Sequence, residues 1–195
     1  MYLITNRHLC SYKRYLEVLE EASFSGVENI ILREKDLKND ELKNLYFKIR
    51  ERVNKETKII INGNYEVFNS VDADGIHMPF DMFKNLKDKL EYKEKIIGVS
   101  THNIEEIIEV KKYLVSYLIF SHIYETKCKF DLKPKGISLL KKAQSELNGC
   151  DIKLIALGGI LPNNAKETLN YCDDIAVMSS IMESDNVKDT IKSFL

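Results

Sequence analysis

The chain has no excess of either charge. Its 29 Lys and Arg stand against 30 Asp and Glu, and no block of one sign stands out. That argues against a basic nucleic-acid-binding arm and against a polybasic membrane surface. No apolar run approaches the ~20 residues needed to cross a bilayer. The N-terminal MYLITNRHL has no apolar core of a secretory signal. Four cysteines (Cys10, Cys128, Cys150 and Cys172) show no CxxC spacing and are too sparse for a disulfide scaffold, so free thiols are expected. HxH and HExxH spacings are missing, and no carboxylates gather at one strand end, which argues against a metal site. No Gly/Ser linker or low-complexity tract divides the chain. The expectation is one cytoplasmic, soluble domain over residues 1–195, binding neither nucleic acid nor membrane.

What is present is alternation. Short aliphatic runs recur: YLIT (2–5), NIIL (29–32), KIIIN (58–62), GIHM (75–78), KIIGVS (95–100), YLIFSH (117–122), KLIALG (153–158) and DIAVMS (174–179). Most are near-continuously apolar, as parallel strands buried on both faces require. Amphipathic segments lie between them. Leu42, Leu45, Tyr46, Ile49 and Val53 fall on one helical stripe, as do Ile104, Ile107, Ile108 and Leu114. Val187, Ile191 and Leu195 form a last helix face. Asn103 and Pro162 read as helix-start signals.

Eight strand-helix units predict an α/β fold, a single (β/α)8 TIM barrel, slightly below its usual minimum of about 200 residues. The alternative is an open doubly wound sheet, whose first turn would carry GxGxxG. No such motif follows the first run.

In a barrel, the loops after the strands build the active site. Candidate residues are therefore Arg33 and Lys35 after strand two, Asn62 after strand three, and Ser100 and His102 after strand five. After strand six come His122, Thr126 and Lys129. An imidazole suits acid-base work near neutral pH, so His122 is the candidate catalytic residue; the bland alternative is a histidine that caps the strand. Gly158-Gly159 and Ser179-Ser180 follow strands seven and eight, where this fold often binds phosphate, although two glycines also suit a plain tight turn into Pro162. Arg33, with its forked donors, suits an anion, whereas the Arg33-Glu34-Lys35 triplet also reads as a solvated loop. His77 lies inside strand four and reads as structural, His8 lies in the first loop without an assigned role, and Asp173-Asp174 read as loop charges.

ILREK, DADGIHM, IGVSTHNIEE, YLIFSHIYETKCK, IALGGILPNNA and DDIAVMSSI stand in the order seen in the thiamine-phosphate synthase/TenI superfamily. The resemblance runs from strand two to strand eight. FSHIYETKCKFDLKPKGISLL resembles the FGH-F-ET-CK-GL-G-G-SLL stretch of TenI-type thiazole tautomerases, with Ser121 where those have glycine. The synthase pattern has a glutamine where this chain has Ile31, and a magnesium-binding aspartate where it has Gly63. A further metal-binding aspartate of that pattern is out of register with Asp81, and Ser121-His122 stands in place of Gly-Pro.

The resemblance implies a tautomerase that aromatises an exocyclic-ylidene carboxythiazole phosphate, with His122 moving the proton and no metal or redox cofactor. Gly158, Gly159, Ser179 and Ser180 would hold the phosphate, and Arg33 or Lys129 the carboxylate. Thr126 and Lys129 match the family's threonine and lysine. The resemblance also suggests a homodimer. A divergent magnesium-dependent thiamine-phosphate synthase, with ligands such as Asp81 or Asp74, is one alternative. A non-catalytic binder of the thiazole phosphate is another.

Overall fold

The structure is a computed structural model that describes residues 1–89, 94–126 and 132–194. Strands β1 (Tyr2–Ile4), β2 (Asn29–Leu32), β3 (Lys58–Asn62), β4 (Gly75–Pro79), β5 (Ile96–Thr101), β6 (Tyr117–Ser121), β7 (Lys153–Leu157) and β8 (Asp174–Val177) alternate with helices. These are α1 (Tyr12–Phe24), α2 (Asn39–Arg50), α3 (Tyr65–Ser70), α4 (Phe80–Leu86), α5 (Ile104–Val110), α6 (Gly136–Glu146), α7 (Pro162–Leu169), α8 (Ser179–Met182) and α9 (Val187–Lys192). The strands form a closed barrel in chain order, the (β/α)8 architecture that the alternation predicts. The chain forms two compact units, Met1–Ile76 with Val177–Leu195, and His77–Ala176.

In the first unit, parallel pairing sets Leu3 opposite Ile30, and Ile30 to Leu32 opposite Ile59 to Ile61. All of these side chains are fully buried. β-branched residues suit a pleated strand packed on both faces, and each fully buried aliphatic side chain contributes roughly 1.5–3 kcal/mol. On α2 the stripe Leu42, Leu45, Tyr46 and Ile49 is buried as expected, and Val53 beyond the helix end joins it. Val187 and Ile191 of α9 also point inward, while Leu195 lies outside the described residues.

In the second unit, Gly98 to Thr101 pair with Tyr117 to Phe120, and Tyr117 to Ser121 pair with Lys153 to Leu157. Gly98 has a specific reason: a Cβ there would lie 2.1 Å from the Tyr117 ring. Asn103 caps α5 by accepting from the Glu106 N–H at 2.8 Å, and Pro162 opens α7. The α5 stripe departs from expectation. The helix ends at Val110, so its inward face is Ile104, Ile107 and Val110, whereas Ile108 is exposed and Leu114 is 91 % exposed. A 3.6-residue period identifies a face but does not say where the helix stops.

Aspartates close the amino ends of strands in both units. Asp74, just before β4, accepts from the Ile59 N–H of β3 at 2.8 Å. Asp173, just before β8, accepts from the Leu154 N–H of β7 at 2.7 Å. Asp173 is thus a strand cap and more than a loop charge. Among the described residues no helix is long and apolar enough to cross a membrane.

Cys10, Cys150 and Cys172 are free thiols, as expected, and Cys128 lies outside the described residues. Burial pushes the Cys172 thiol up from 9.0 to about 11, and its Sγ–H donates to the Thr168 carbonyl at 3.3 Å. The folded chain therefore keeps this proton where the unfolded chain loses it. The linked contribution to stability is complete below pH 9 and falls as pH rises from 9 towards 11. Because the thiolate is the nucleophile, alkylation of Cys172 at pH 8 should be slow in the native protein and fast in denaturant, as peptide mass spectrometry would show.

Candidate active site

In the first unit, the triplet after β2 divides its labour in a way the sequence did not reveal. Glu34 is buried, 5 % exposed, and is not part of a solvated loop. Its carboxylate accepts from the Thr5 hydroxyl at 2.7 Å, the Tyr15 hydroxyl at 3.0 Å and the Arg7 N–H at 3.1 Å. Thr5 in turn accepts from the Arg33 N–H at 2.9 Å, which ties the end of β1 to the end of β2. Burial first, and the Glu34 charge second, push the Tyr15 hydroxyl well above its ordinary range. The flanking candidates remain accessible: Arg33 is half-buried and Lys35 exposed. Arg7 pairs with Asp36, and exposed His8 lies 3.3 Å from the same carboxylate. Asn62 ends β3 half-buried, and Ser179 and Ser180 open α8 half-buried.

A buried carboxylate with several donors makes its own removal costly, because each orphaned buried partner costs about 1–3 kcal/mol. Glu34→Ala should lower unfolding free energy by at least that amount in urea titrations. Glu34→Gln, which keeps an accepting oxygen, should cost less.

In the second unit, β6 ends at Ser121 and leads directly into His122, and both are buried; His122 is 3 % exposed. The His122 ring Nε2 lies 3.1 Å from the Leu132 carbonyl, and the His122 carbonyl accepts from the Lys135 N–H at 2.9 Å. On the other side, the N–H groups of Ile123 and Tyr124 donate to the carbonyls of Leu157 and Gly158 at 3.0 and 2.9 Å. The two glycines after β7 admit this close approach. A Cβ on Gly158 would lie 2.3 Å from the His122 Cβ, and one on Gly159 would lie 2.4 Å from the Glu125 carbonyl oxygen. Both glycines also have positive φ, 101° and 67°. Packing against residues 122–125 thus explains Gly158-Gly159 without a ligand, and a phosphate role for them is a separate proposal.

Ser100 and His77 form a pair that the sequence kept apart. His77 is buried in β4, its Nε2 lies 2.7 Å from the Ser100 hydroxyl, and its ring stacks on Tyr117 with centroids 5.5 Å apart. The structural reading of His77 holds, and it also fixes a candidate hydroxyl. His102 is exposed, with Nδ1 3.4 Å from the Ser121 carbonyl and 3.5 Å from its hydroxyl, too long for strong hydrogen bonds. Thr126 is half-buried, and Lys129 lies outside the described residues.

The aspartates proposed as substitute magnesium ligands do not fit that ion. Asp81 has an 89 % exposed side chain on α4 and pairs with Lys84 at 2.9 Å. Asp74 is committed to the Ile59 N–H at the amino end of β3 and pairs with Arg50 and Lys58. Among the described residues, no group of three or more His, Cys, Asp or Glu could hold a metal ion. Magnesium is usually held by one or two carboxylates together with waters and substrate phosphates, so what counts against these two aspartates is that Asp74 and Asp81 are engaged elsewhere.

The glycine contact makes a direct test of the site's construction. Gly158→Ala forces a Cβ into the His122 side chain at positive φ. Overpacking costs about 1–3 kcal/mol and left-handed backbone adds roughly another 1–3 kcal/mol. Urea denaturation of the variant should show a loss in that combined range.

Comparison with known proteins places this architecture. A family profile described as thiamine monophosphate synthase matches residues 1–181. A thiamine-phosphate synthase of Clostridium botulinum is 32 % identical over 192 residues, covering 96 % of this chain and 92 % of that protein. One from Methanobrevibacter smithii is 33 % identical over 200 residues, covering 100 % and 93 %. The solved thiamine phosphate pyrophosphorylase of Pyrococcus furiosus superposes with a TM-score of 0.81 at 26 % identity, covering 99 % of this chain and 92 % of that one. Sharing sequence and barrel with these proteins over almost its whole length, the chain belongs to the thiamine-phosphate synthase/TenI family.

Proposed function

We propose that the chain is an isomerase of thiamine biosynthesis, converting an exocyclic-ylidene carboxythiazole phosphate into its aromatic carboxythiazole tautomer. The observation that carries this reading is His122, buried at the end of β6 with Nε2 held by the Leu132 carbonyl. The reaction takes a proton from the ring carbon bearing the carboxylate and returns one to the exocyclic carbon. A positioned imidazole that both accepts and donates is suited to it, and such catalysis is worth roughly 10²–10⁴-fold. Gain of aromaticity drives the step, so it needs no leaving group. By residue chemistry and family resemblance, Arg33, Lys35 or Lys129 would take the carboxylate, with Asn62, Ser100, His102 and Thr126 as further substrate contacts. Gly158, Gly159, Ser179 and Ser180 would take the phosphate. The substrate is then a small phosphorylated thiazole carboxylate.

A second reading has its own support. The relatives described above are named thiamine-phosphate synthases or pyrophosphorylases, which favours transfer of a pyrimidine from its pyrophosphate to a thiazole phosphate. Against it stand His122, which that chemistry does not require, and the positions of Asp74 and Asp81, which do not supply magnesium ligands.

One pair of assays separates the two. Without added metal, the protein should aromatise the ylidene carboxythiazole phosphate well above the buffer rate, with His122→Ala slower by at least a hundredfold. Full activity of His122→Ala would remove the acid-base role, and no activity in the wild type would remove the isomerase reading. Magnesium-dependent formation of thiamine phosphate from the two phosphorylated halves would establish the second reading instead.

A further inference from the structure

We infer that the Leu132 carbonyl fixes His122 as the Nε2–H tautomer, leaving Nδ1 as the single nitrogen that takes up and returns the proton. A carbonyl oxygen only accepts, so the 3.1 Å contact between Leu132 O and His122 Nε2 requires the hydrogen to sit on Nε2. A neutral imidazole carries one N–H, so Nδ1 then holds a lone pair. Among the described residues, Nδ1 has no hydrogen-bond partner competing for that lone pair.

The contact is built into the local fold. The N–H groups of Lys135 and Gly136 donate to the carbonyls of His122 and Ile123, each at 2.9 Å. Together with Leu132, they strap the segment entering α6 against the residues that follow β6. From the opposite side, Ile123 and Tyr124 are bonded to Leu157 and Gly158, and the bare Cα of Gly158 packs against the His122 Cβ. The backbone and Cβ of His122 are therefore clamped from both sides, and its ring is tethered at the far nitrogen. Leu132 acts through its backbone oxygen and is a positioning residue.

This deepens the isomerase reading above and rests on it for its chemical consequence. Nδ1 takes the proton from the ring carbon bearing the carboxylate, giving an imidazolium with N–H at both nitrogens. The electron pair freed from that C–H bond moves through the ring to the exocyclic carbon. Nδ1–H then delivers its proton there, which restores the starting Nε2–H tautomer. One proton is moved and none is gained or lost. Throughout, Nε2–H stays on Leu132 O, whose partial negative charge also favours the transient imidazolium.

The tautomer can be read without substrate. The full chain labelled with ¹⁵N-histidine should show, in long-range ¹H–¹⁵N correlation spectra recorded at alkaline pH, a protonated Nε2 and an Nδ1 shifted to the position of an unprotonated nitrogen. The His122 signals would be assigned by their loss in His122→Asn, with His122→Gln as a second variant should the first not fold. A proton on Nδ1, or two averaged nitrogens, would overturn the proposal. Because this measurement needs no turnover, an inactive protein with Nε2–H would sink the isomerase reading alone. An active protein with Nδ1–H would sink the tautomer assignment alone.

Discussion

The placement of His122 depends on one close approach, that of residues 122–125 to the bare Cα atoms of Gly158 and Gly159. Adjacent parallel strands lie about 4.8 Å apart, and β6 and β7 continue to exchange hydrogen bonds past the end of β6 through Ile123 and Tyr124. Side chains on the β7 side of that seam would collide with the His122 side chain or the Glu125 backbone. Glycine therefore does two things here. It permits the positive φ that turns the chain towards α7, and it leaves room for the His122 Cβ. The tether from Leu132 then sets the ring.

The same economy governs the carboxylates. Parallel strands leave unpaired N–H groups at their amino ends, and Asp74 and Asp173 each occupy one of these. Glu34 sits beyond the end of β2, yet it too is spent inward, on Thr5, Tyr15 and the Arg7 backbone. Asp81 remains at the surface with Lys84. Each of these acids already has a structural or surface partner. Asp74 and Asp81, the two weighed as substitute metal ligands, are thus engaged elsewhere.

Fold and site were unequally legible in the sequence. Strand runs such as NIIL and KIIIN stand out because burial on both faces removes polar residues, and their bounds match β2 and β3. Asn103 and Pro162 were readable because capping and ring geometry are local rules. Leu114 misled because a periodic pattern continues across the turn that ends α5. Glu34 was opaque for another reason: its partners lie 19 to 29 residues away, and a charged triplet looks solvated until Thr5 and Tyr15 are seen to face it. The one available hint was that Thr5 ends a strand neighbouring the one before Glu34. His77 and Ser100 belong to the same class, joined only by the packing of β4 beside β5.

The proposed proton transfer and the alternative group transfer differ in what charge the site must neutralise. A pyrophosphate leaving group accumulates negative charge that magnesium ordinarily bridges, which requires hard oxygen ligands held at fixed positions. Moving one proton between two carbons of a ring requires much less: anion contacts that hold the substrate still, and one base that is not free to rotate. An exposed histidine such as His102 would lose rotational entropy each time it acted, whereas His122 is already immobilised by its backbone bonds and its ring tether. Burial also strengthens the interaction between its imidazolium form and a nearby carboxylate, since the local dielectric is low. For the proposed substrate, the carboxylate beside the reacting carbon would itself stabilise the protonated base as it forms. The proposed isomerisation would then need a rigid histidine more than a cation, and rigidity is what the Gly158 contact and the Leu132 carbonyl supply.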